Sequence, residues 1–409
     1  MWSGKLVWAV RSAVAAVFVV TGGVAVAGSG SPLHHWPTVN WTLREAVKLP
    51  AGEMPPQMSL GDISCPVQNQ CAAVGFSMQA ARVGLMYGAL VTNAGHPGSW
   101  SPIALPTGTG PLSGISCVTL TSCVAIGTNV VLGPPPCGNC FRPLVPEPAP
   151  VAMILTGSLL AGPWTVQPHP MPRGSLTSLS CVLSRAVRHC VIGGGVVLYE
   201  TNDGPWREVW VKGYSLTTVS CLVTGRCMAL ASGPNAVLAS SDFGRTWSAV
   251  EPSPAGILQE DWQWLACTFP QECVLAGDDF TQTRGVLAYT SDWGRTWRWR
   301  TAPIPAQTVP PGVPGVAYPQ PPPSPASMFL VIAGCASARL CMVGGVRGVG
   351  IAVLMSALNG RGWSTINVPD YANGISDVVC PSIHTCWVTG GANNGAYRFE
   401  SFVLEYVSP

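Results

Sequence analysis

Leu60-Gly61-Asp62-Ile63-Ser64-Cys65, five further residues, then Cys71-Ala72-Ala73-Val74-Gly75 is the stretch on which the fold turns. It leads into Ala89-Leu90-Val91-Thr92, a turn at Gly95, then Trp100 and an apolar segment to Leu105. Short apolar runs between turn residues, without a helical period, read as four strands. The unit recurs. Its cysteines fall in pairs: Cys65 and Cys71, Cys117 and Cys123, Cys181 and Cys190, Cys221 and Cys227, Cys267 and Cys273, Cys335 and Cys341, Cys380 and Cys386. Only the third pair departs from C-x5-C, being stretched to C-x8-C. Trp-led segments start at Trp41, Trp100, Trp164, Trp206, Trp247, Trp297 and Trp363. Repeats of about 40–60 residues with four strands each are the signature of a β-propeller blade.

The termini set the blade count. The last repeat, with Cys380 and Cys386, runs through a third strand to Tyr406 and lacks its Trp strand. Trp41 to Pro50 is an orphan Trp strand. Joined, the two make one blade. The expectation is an all-β, seven-bladed propeller of four-stranded blades, closed by an N-terminal outer strand that completes the C-terminal blade. Closure removes the open sheet edges. With strands lettered A to D from the axis outward, each cysteine pair joins the end of A to the start of B. Each disulfide then clamps an A–B hairpin, worth roughly 2–3 kcal/mol in the chain-entropy account.

Residues 1–27 read as a signal peptide. Lys5 and Arg11 precede or open an apolar run, and Ala25-Val26-Ala27 is an A-x-A cleavage site. The run is short for a membrane span of about 20 residues; retained, it would be an N-terminal anchor. Residues 28–35, with His34-His35, form a flexible linker, and 36–409 a single propeller. Sixteen cysteines behind a signal imply disulfides and a secreted or cell-surface location. Six histidines are too few to complete seven zinc sites. A net charge of +2 with 10% charged residues leaves no basic stripe for nucleic acid. No cofactor and no metal are expected, and the chain reads as a monomer.

Ser240-Ser241-Asp242-Phe243-Gly244-Arg245-Thr246-Trp247 and Thr290-Ser291-Asp292-Trp293-Gly294-Arg295-Thr296-Trp297 follow the pattern S/T-x-D-x-G-x-T-W. Asp accepts N–H bonds within a turn, Gly allows a tight backbone, and Trp buries its ring between blades. Weaker forms lie at Thr201 to Trp206 and Ser356 to Trp363. The chain resembles the BNR/Asp-box propeller superfamily, which includes sialidases, sortilin-type receptors and photosystem assembly factors. The resemblance implies that Asp242, Gly244, Trp247, Asp292, Gly294 and Trp297 are structural. They belong on C–D turns, away from the usual ligand face. It also tests the sialidase activity. That family needs an arginine triad, a Tyr nucleophile with a Glu, and an acid Asp; Arg245, Arg295, Arg298 and Arg300 fall in boxes and outer strands, so no triad can be assigned.

Ligands of such propellers bind where D–A and B–C loops meet at the channel mouth. Two Pro-rich stretches on that face, 133–150 and 302–325, are stiff enough to wall the channel. The first contains Cys137-Gly138-Asn139-Cys140, in which Cys137 and Cys140 read as an eighth, loop-stapling disulfide rather than a redox pair. Blade 5 departs furthest from the repeat. Glu260, Asp261, Trp262 and Trp264 lead into its strand A, and Asp278 and Asp279 lie in its B–C loop, with Phe280 and Arg284. Acids beside aromatic rings suit a carbohydrate; solvated loop acids and core Trp are the plainer account. Asp62 and Asp377 face the same channel. The reading is an exported, non-catalytic module that binds a protein or carbohydrate, with Glu260, Asp261, Trp262, Asp278 and Asp279 as the ligand-binding residues. Its rivals are a glycoside hydrolase or lyase using the blade 5 carboxylates, and an assembly factor for an exported or membrane complex.

Overall fold

The computed structural model describes residues 42–48, 57–78, 86–95, 99–129, 151–160, 162–169, 175–232, 236–250, 260–268, 271–279, 285–301, 328–337, 340–347, 351–358, 362–369, 372–393 and 399–408. The signal peptide, the linker, Trp41, the Pro-rich stretches and the pair Cys137 and Cys140 lie outside them. The described residues form seven four-stranded antiparallel sheets. Six are consecutive meanders, which we call blades 1 to 6: 57–102, 109–167, 176–209, 215–250, 260–301 and 328–366. Blade 7 contains Ala372–Ser382, Thr385–Asn393 and Phe399–Val407, and its fourth strand is Thr42–Lys48. That strand runs antiparallel to Phe399–Val407, from Thr42 opposite Val407 to Lys48 opposite Phe402.

A meander of antiparallel strands puts its A–B hairpin and C–D turn on one face and its B–C and D–A connections on the other. Apolar residues fill the space between neighbouring sheets. Ala72, Leu90, Leu112 and Leu155 lie between blades 1 and 2, and Ile126, Ile154, Ile192 and Leu198 between blades 2 and 3. Leu60, Ile63, Trp100, Trp387 and Val403 lie between blades 7 and 1. Trp100 and Trp387 meet edge to face there, with centroids 5.9 Å apart. The box tryptophans' counterparts Trp100, Trp164 and Trp206 are buried, as expected for rings wedged between sheets.

Among the described residues seven hairpin disulfides are present: Cys65–Cys71, Cys117–Cys123, Cys181–Cys190, Cys221–Cys227, Cys267–Cys273, Cys335–Cys341 and Cys380–Cys386. They are the A–B hairpin clamps expected from the sequence, and their strand B cysteines are part of the core as well. Cys71, Cys123, Cys190, Cys227, Cys273, Cys341 and Cys386 are each at most 1% exposed. Strand B runs between strands A and C, and the preceding blade covers the face that carries its cysteine, which is thereby shut off from solvent. Cys123 joins the apolar cluster between blades 1 and 2, Cys273 that between blades 4 and 5, and Cys341 that between blades 5 and 6. Their strand A partners are more open, Cys117 at 8% and Cys267 and Cys335 half-buried. These cysteines fill the seams and are out of reach of a ligand.

The Cα–Cα distances across the bridges are 4.0–4.1 Å. Such closeness belongs to directly opposed residues that do not exchange backbone hydrogen bonds. The N–H of the strand A cysteine is therefore left to look elsewhere, and the repeat supplies its acceptor. Ser64 Oγ accepts from Cys117 N, Ser116 Oγ from Cys181 N, Ser180 Oγ from Cys221 N and Ser220 Oγ from Cys267 N, all at 2.9–3.0 Å. In blades 1 to 4 the Ser before the first cysteine thus fastens its blade to the next.

Every strand A also carries a register shift just ahead of this point. It falls between Leu60 and Asp62, Leu112 and Gly114, Leu176 and Ser178, Leu216 and Thr218, Trp262 and Trp264, Leu330 and Ile332, and Ile375 and Asp377. A bulge inserts one residue and re-aims the next. Three residues so re-aimed reach the following blade: Ser178 Oγ accepts from Val219 N, Asp62 Oδ2 from Ile115 N and Asp377 Oδ2 from Ile63 N.

Candidate functional site

The two full Asp boxes are closed systems. Asp242 accepts from Thr246 N at 2.9 Å, Thr246 Oγ1 at 2.7 Å and Ser240 Oγ at 2.8 Å. Asp292 repeats this with Thr296 N, Thr296 Oγ1 and Thr290 Oγ1. Gly244 and Gly294 sit at φ of 78° and 80°, and their carbonyls accept the indole N–H of Trp247 and Trp297. Burial opposes ionisation of Asp242, but the bonds from Thr246 and Ser240 outweigh it and hold the carboxyl below the ordinary range. The side-chain bond from Thr296 does the same for Asp292 against a smaller burial effect. These carboxylates are spent on their own turns, on the C–D side of the ring.

The second cluster is the pair Asp62 and Asp377, on strands A of blades 1 and 7. Asp62 accepts from its neighbour Ile63 N at 2.8 Å and from Ile115 N of blade 2 at 2.6 Å. Asp377 accepts from Val378 N at 2.8 Å and from Ile63 N of blade 1 at 3.0 Å. The two carboxyls are also bonded to each other. Burial, the facing charge of Asp377 and that mutual bond push the Asp62 carboxyl well above the ordinary carboxylate range. Burial raises Asp377 as well, against the bonds that favour its charge. Each carboxyl so placed disfavours the charge of the other. Such a pair resembles an acid–base dyad, yet each of its four oxygens already receives a backbone N–H. Its chemistry is to fasten blades 7, 1 and 2 together.

Blade 5 sets its acids in facing pairs, because Asp278 and Asp279 are not in the B–C loop as expected but close the strand Glu272–Asp279, paired to the start of strand A. Glu260 stands opposite Asp279, Asp261 opposite Asp278, and Trp262 opposite Gly277, at the end of the sheet away from the Asp box. Asp278 is 2% exposed. The half-buried Trp262 packs with Met228, Leu230 and Leu265, its ring tilted against Trp299 with centroids 5.1 Å apart. Trp264 turns the other way and packs against the blade 5–6 cluster around Val274 and Ala333 and the blade 6–7 cluster around Ile375. The structure therefore brings the four acids together along two strands and engages both tryptophans in packing between blades.

Sequence reasoning missed one buried ion pair. Arg188, in strand B of blade 3, donates to Glu200 Oε2 at 3.3 Å, to Asp203 and to Ser122 Oγ of blade 2. Burial raises the Glu200 carboxyl even though the Arg188 charge lowers it. Nothing in the local sequence pairs Arg188 with Ser122; only the ring does. Among the described residues no group of three or more His, Cys, Asp or Glu is placed to hold a metal ion.

No protein-family model matches the chain, and no curated protein matches it. Solved structures do. The structure described as YCF48 bound to D1 peptide has 14% identity and a TM-score of 0.56, over 91% of this chain and 100% of that one. YCF48 from Cyanidioschyzon merolae has 13% identity and a TM-score of 0.53, over 89% and 99%. The RRP9 WD40 repeats give 10% and 0.55, over 90% and 100%. At these identities the likeness is one of fold: a β-propeller.

Proposed function

We propose that this chain is an exported, non-catalytic propeller of the BNR/Asp-box kind, a binding or scaffold module for a protein or carbohydrate partner. The observation that carries it is where the acids go. At the repeat positions, Asp62, Asp377, Asp242 and Asp292 are consumed by hydrogen bonds that hold the ring together. Blade 5 alone adds Glu260, Asp261, Asp278 and Asp279 in facing register at the opposite end of its sheet. Like charges set directly opposite one another cost stability in a sheet. Such a cost, at a place that breaks the repeat, is where function is expected, and we assign the partner site to Glu260, Asp261, Trp262, Asp278 and Asp279. Seven disulfides suit an oxidising, exported setting.

The solved structure described as YCF48 bound to D1 peptide supports a protein partner, since a propeller of similar fold holds a peptide in that complex. The test is capture from the extracellular material of the producing cells, with the double variant Asp278→Asn and Asp279→Asn compared with the parent chain. A partner held by the parent and released by the variant at unchanged melting temperature is the expected result. Retention of the partner by the variant moves the site off blade 5. Turnover of a glycan that disappears in the variant replaces the binding reading with a hydrolase or lyase.

A further inference from the structure

The Asp boxes of blades 4 and 5 lay their exposed residues against the preceding blade, and the two seams come out differently. Where blade 4 meets blade 3, Phe243 stacks on His189 with centroids 3.7 Å apart and planes 12° from parallel. Arg245 lies 5.6 Å above the ring of Tyr199 and donates to Asp242 O and Thr201 Oγ1. Where blade 5 meets blade 4, Trp293 takes the place of Phe243, and Arg226, which directly precedes Cys227 as His189 precedes Cys190, stands 5.9 Å from its ring. Arg295 takes the place of Arg245.

The aromatic ring beneath that arginine is missing. In blade 3 the residue after Cys190, Val191, pairs with Tyr199. In blade 4 the residue after Cys227, Met228, pairs with Ala239. Ala239 therefore occupies the position of Tyr199, and a cavity of about 550 Å³ opens there. That lies within the roughly 300–1,000 Å³ of small-molecule sites. It is lined by Arg226, Trp247, Gln271, Trp293 and Arg295, with Ala239 and box hydroxyls at its base. One acid, Asp292, is also in the lining, but its oxygens are taken by Thr296 and Thr290. Among the described residues, two arginines and that spent carboxylate are the charged groups of the lining.

We propose that this cavity binds a carboxylated sugar ring, a uronic acid residue of an acidic polysaccharide. The sugar ring sits over Ala239, under Arg295, where blade 3 carries its own tyrosine. The indoles of Trp247 and Trp293 line the space, and an aromatic surface suits the C–H side of a pyranose. Gln271 and the Ser241 hydroxyl meet ring hydroxyls, a service that an aromatic side chain in the same space would leave unused. Arg226 and Arg295 hold the carboxylate, the planar fork being suited to that group. The site lies on the Asp-box face, at the opposite end of the sheets from the blade 5 acids, and stands or falls independently of the assignment made there.

The experiment uses the intact chain and tri-galacturonic acid, with maltotriose as the neutral control, followed by calorimetry and tryptophan fluorescence. The acidic trisaccharide is expected to bind, to perturb the indole emission, and to weaken as salt is raised. Ala239→Tyr rebuilds the blade 3 arrangement and is expected to weaken binding by about tenfold or more. Should that variant fold poorly, Arg295→Gln, on an exposed side chain, decides in its place with the same expected loss. Absence of binding by the parent chain overturns the proposal. So does binding that survives Ala239→Tyr or Arg295→Gln in a variant of unchanged melting temperature. Equal binding of maltotriose overturns the carboxylate assignment.

Discussion

From blade 1 round to blade 5 the seams share one fastener; from blade 5 back to blade 1 they do not. Ser64, Ser116, Ser180 and Ser220 each accept the N–H of the next blade's first cysteine. The same position holds Ala266 in blade 5, Gly334 in blade 6 and Val379 in blade 7. Each seam without a hydroxyl has its own substitute. Blade 5 presses Trp264 into the apolar clusters of blades 6 and 7. Blade 6 brings its backbone so close to blade 7 that a Cβ on Gly334 would lie 2.3 Å from Val378 O. Blade 7 uses the Asp377–Asp62 pair, assisted by Ser401 Oγ, which accepts from Leu60 N and donates to Met58 O. A repeat can thus keep its geometry while exchanging one way of fastening neighbouring blades for another.

The largest effect is expected at the blade 6–7 seam. Gly334→Ala forces two backbones apart and should cost about 3 kcal/mol or more, read as a lowered midpoint in urea with an unchanged slope. A loss below that of the serine variants described next would mean that the backbone approach is not what holds this seam.

The blade 7–1 seam should respond to pH. Asp62 and Asp377 carry raised pKa values in the folded chain. Their contribution is complete below the unfolded value of about 3.9 and is lost as pH rises through the raised values. Burial of Glu200 adds in the same direction. Asp242 and Asp292 act oppositely: the stability they give is present above about 3.9 and is lost as pH falls through their lowered values. Melting temperature should therefore peak on the acid side of neutrality, with a decline towards alkaline pH that Asp62→Asn flattens. An alkaline decline of the same steepness in Asp62→Asn assigns it to other groups. Asp377→Ala leaves the N–H of Val378 short of its acceptor and that of Ile63 with Asp62 alone, unfastening blade 7 from blade 1, and should cost about 2 kcal/mol at the acid optimum.

The smallest effects sharpen the contrast. Ser64→Ala, Ser116→Ala, Ser180→Ala and Ser220→Ala should each cost about 1 kcal/mol. Their spread in thermal melts should be narrow, because the bonds are alike. Ala266→Ser offers the blade 5–6 seam the same hydroxyl and should leave stability equal or improved. A loss there would show that the Trp264 packing has no room for it.

Much of the architecture was legible in the sequence because strands, turns and cysteine pairs are local signals. The hairpin clamps and the Asp-box carboxylates follow from residues within ten positions of one another. The seams are another matter. A Ser before a cysteine in a strand carries no label for the blade it will reach, and Asp377 meets Ile63 across 314 positions. The spacing that pairs Cys117 with Cys123 likewise says nothing of the neighbouring sheet that buries them. The bulge before each strand A cysteine is equally silent, since one extra residue in a strand looks like any other. Trp262 and Trp264 stand out in the sequence as departures from the repeat. The structure puts both into packing between blades, work that an aromatic ring does as readily as stacking on a ligand. Ala239 attracted no notice at all: its meaning lies in being opposite Met228 while Tyr199 is opposite Val191.

Every disulfide among the described residues joins partners six or nine positions apart, inside one hairpin. Oxidation can accordingly keep pace with a chain arriving from its N-terminus. The second cysteine of each pair follows the first almost at once, before cysteines of later blades exist to compete. The possible wrong pairings, which multiply steeply with cysteine number, are avoided by order of arrival rather than by later reshuffling. No covalent bond then waits on the ring, and the ring, when it forms, is assembled from parts that are already locked.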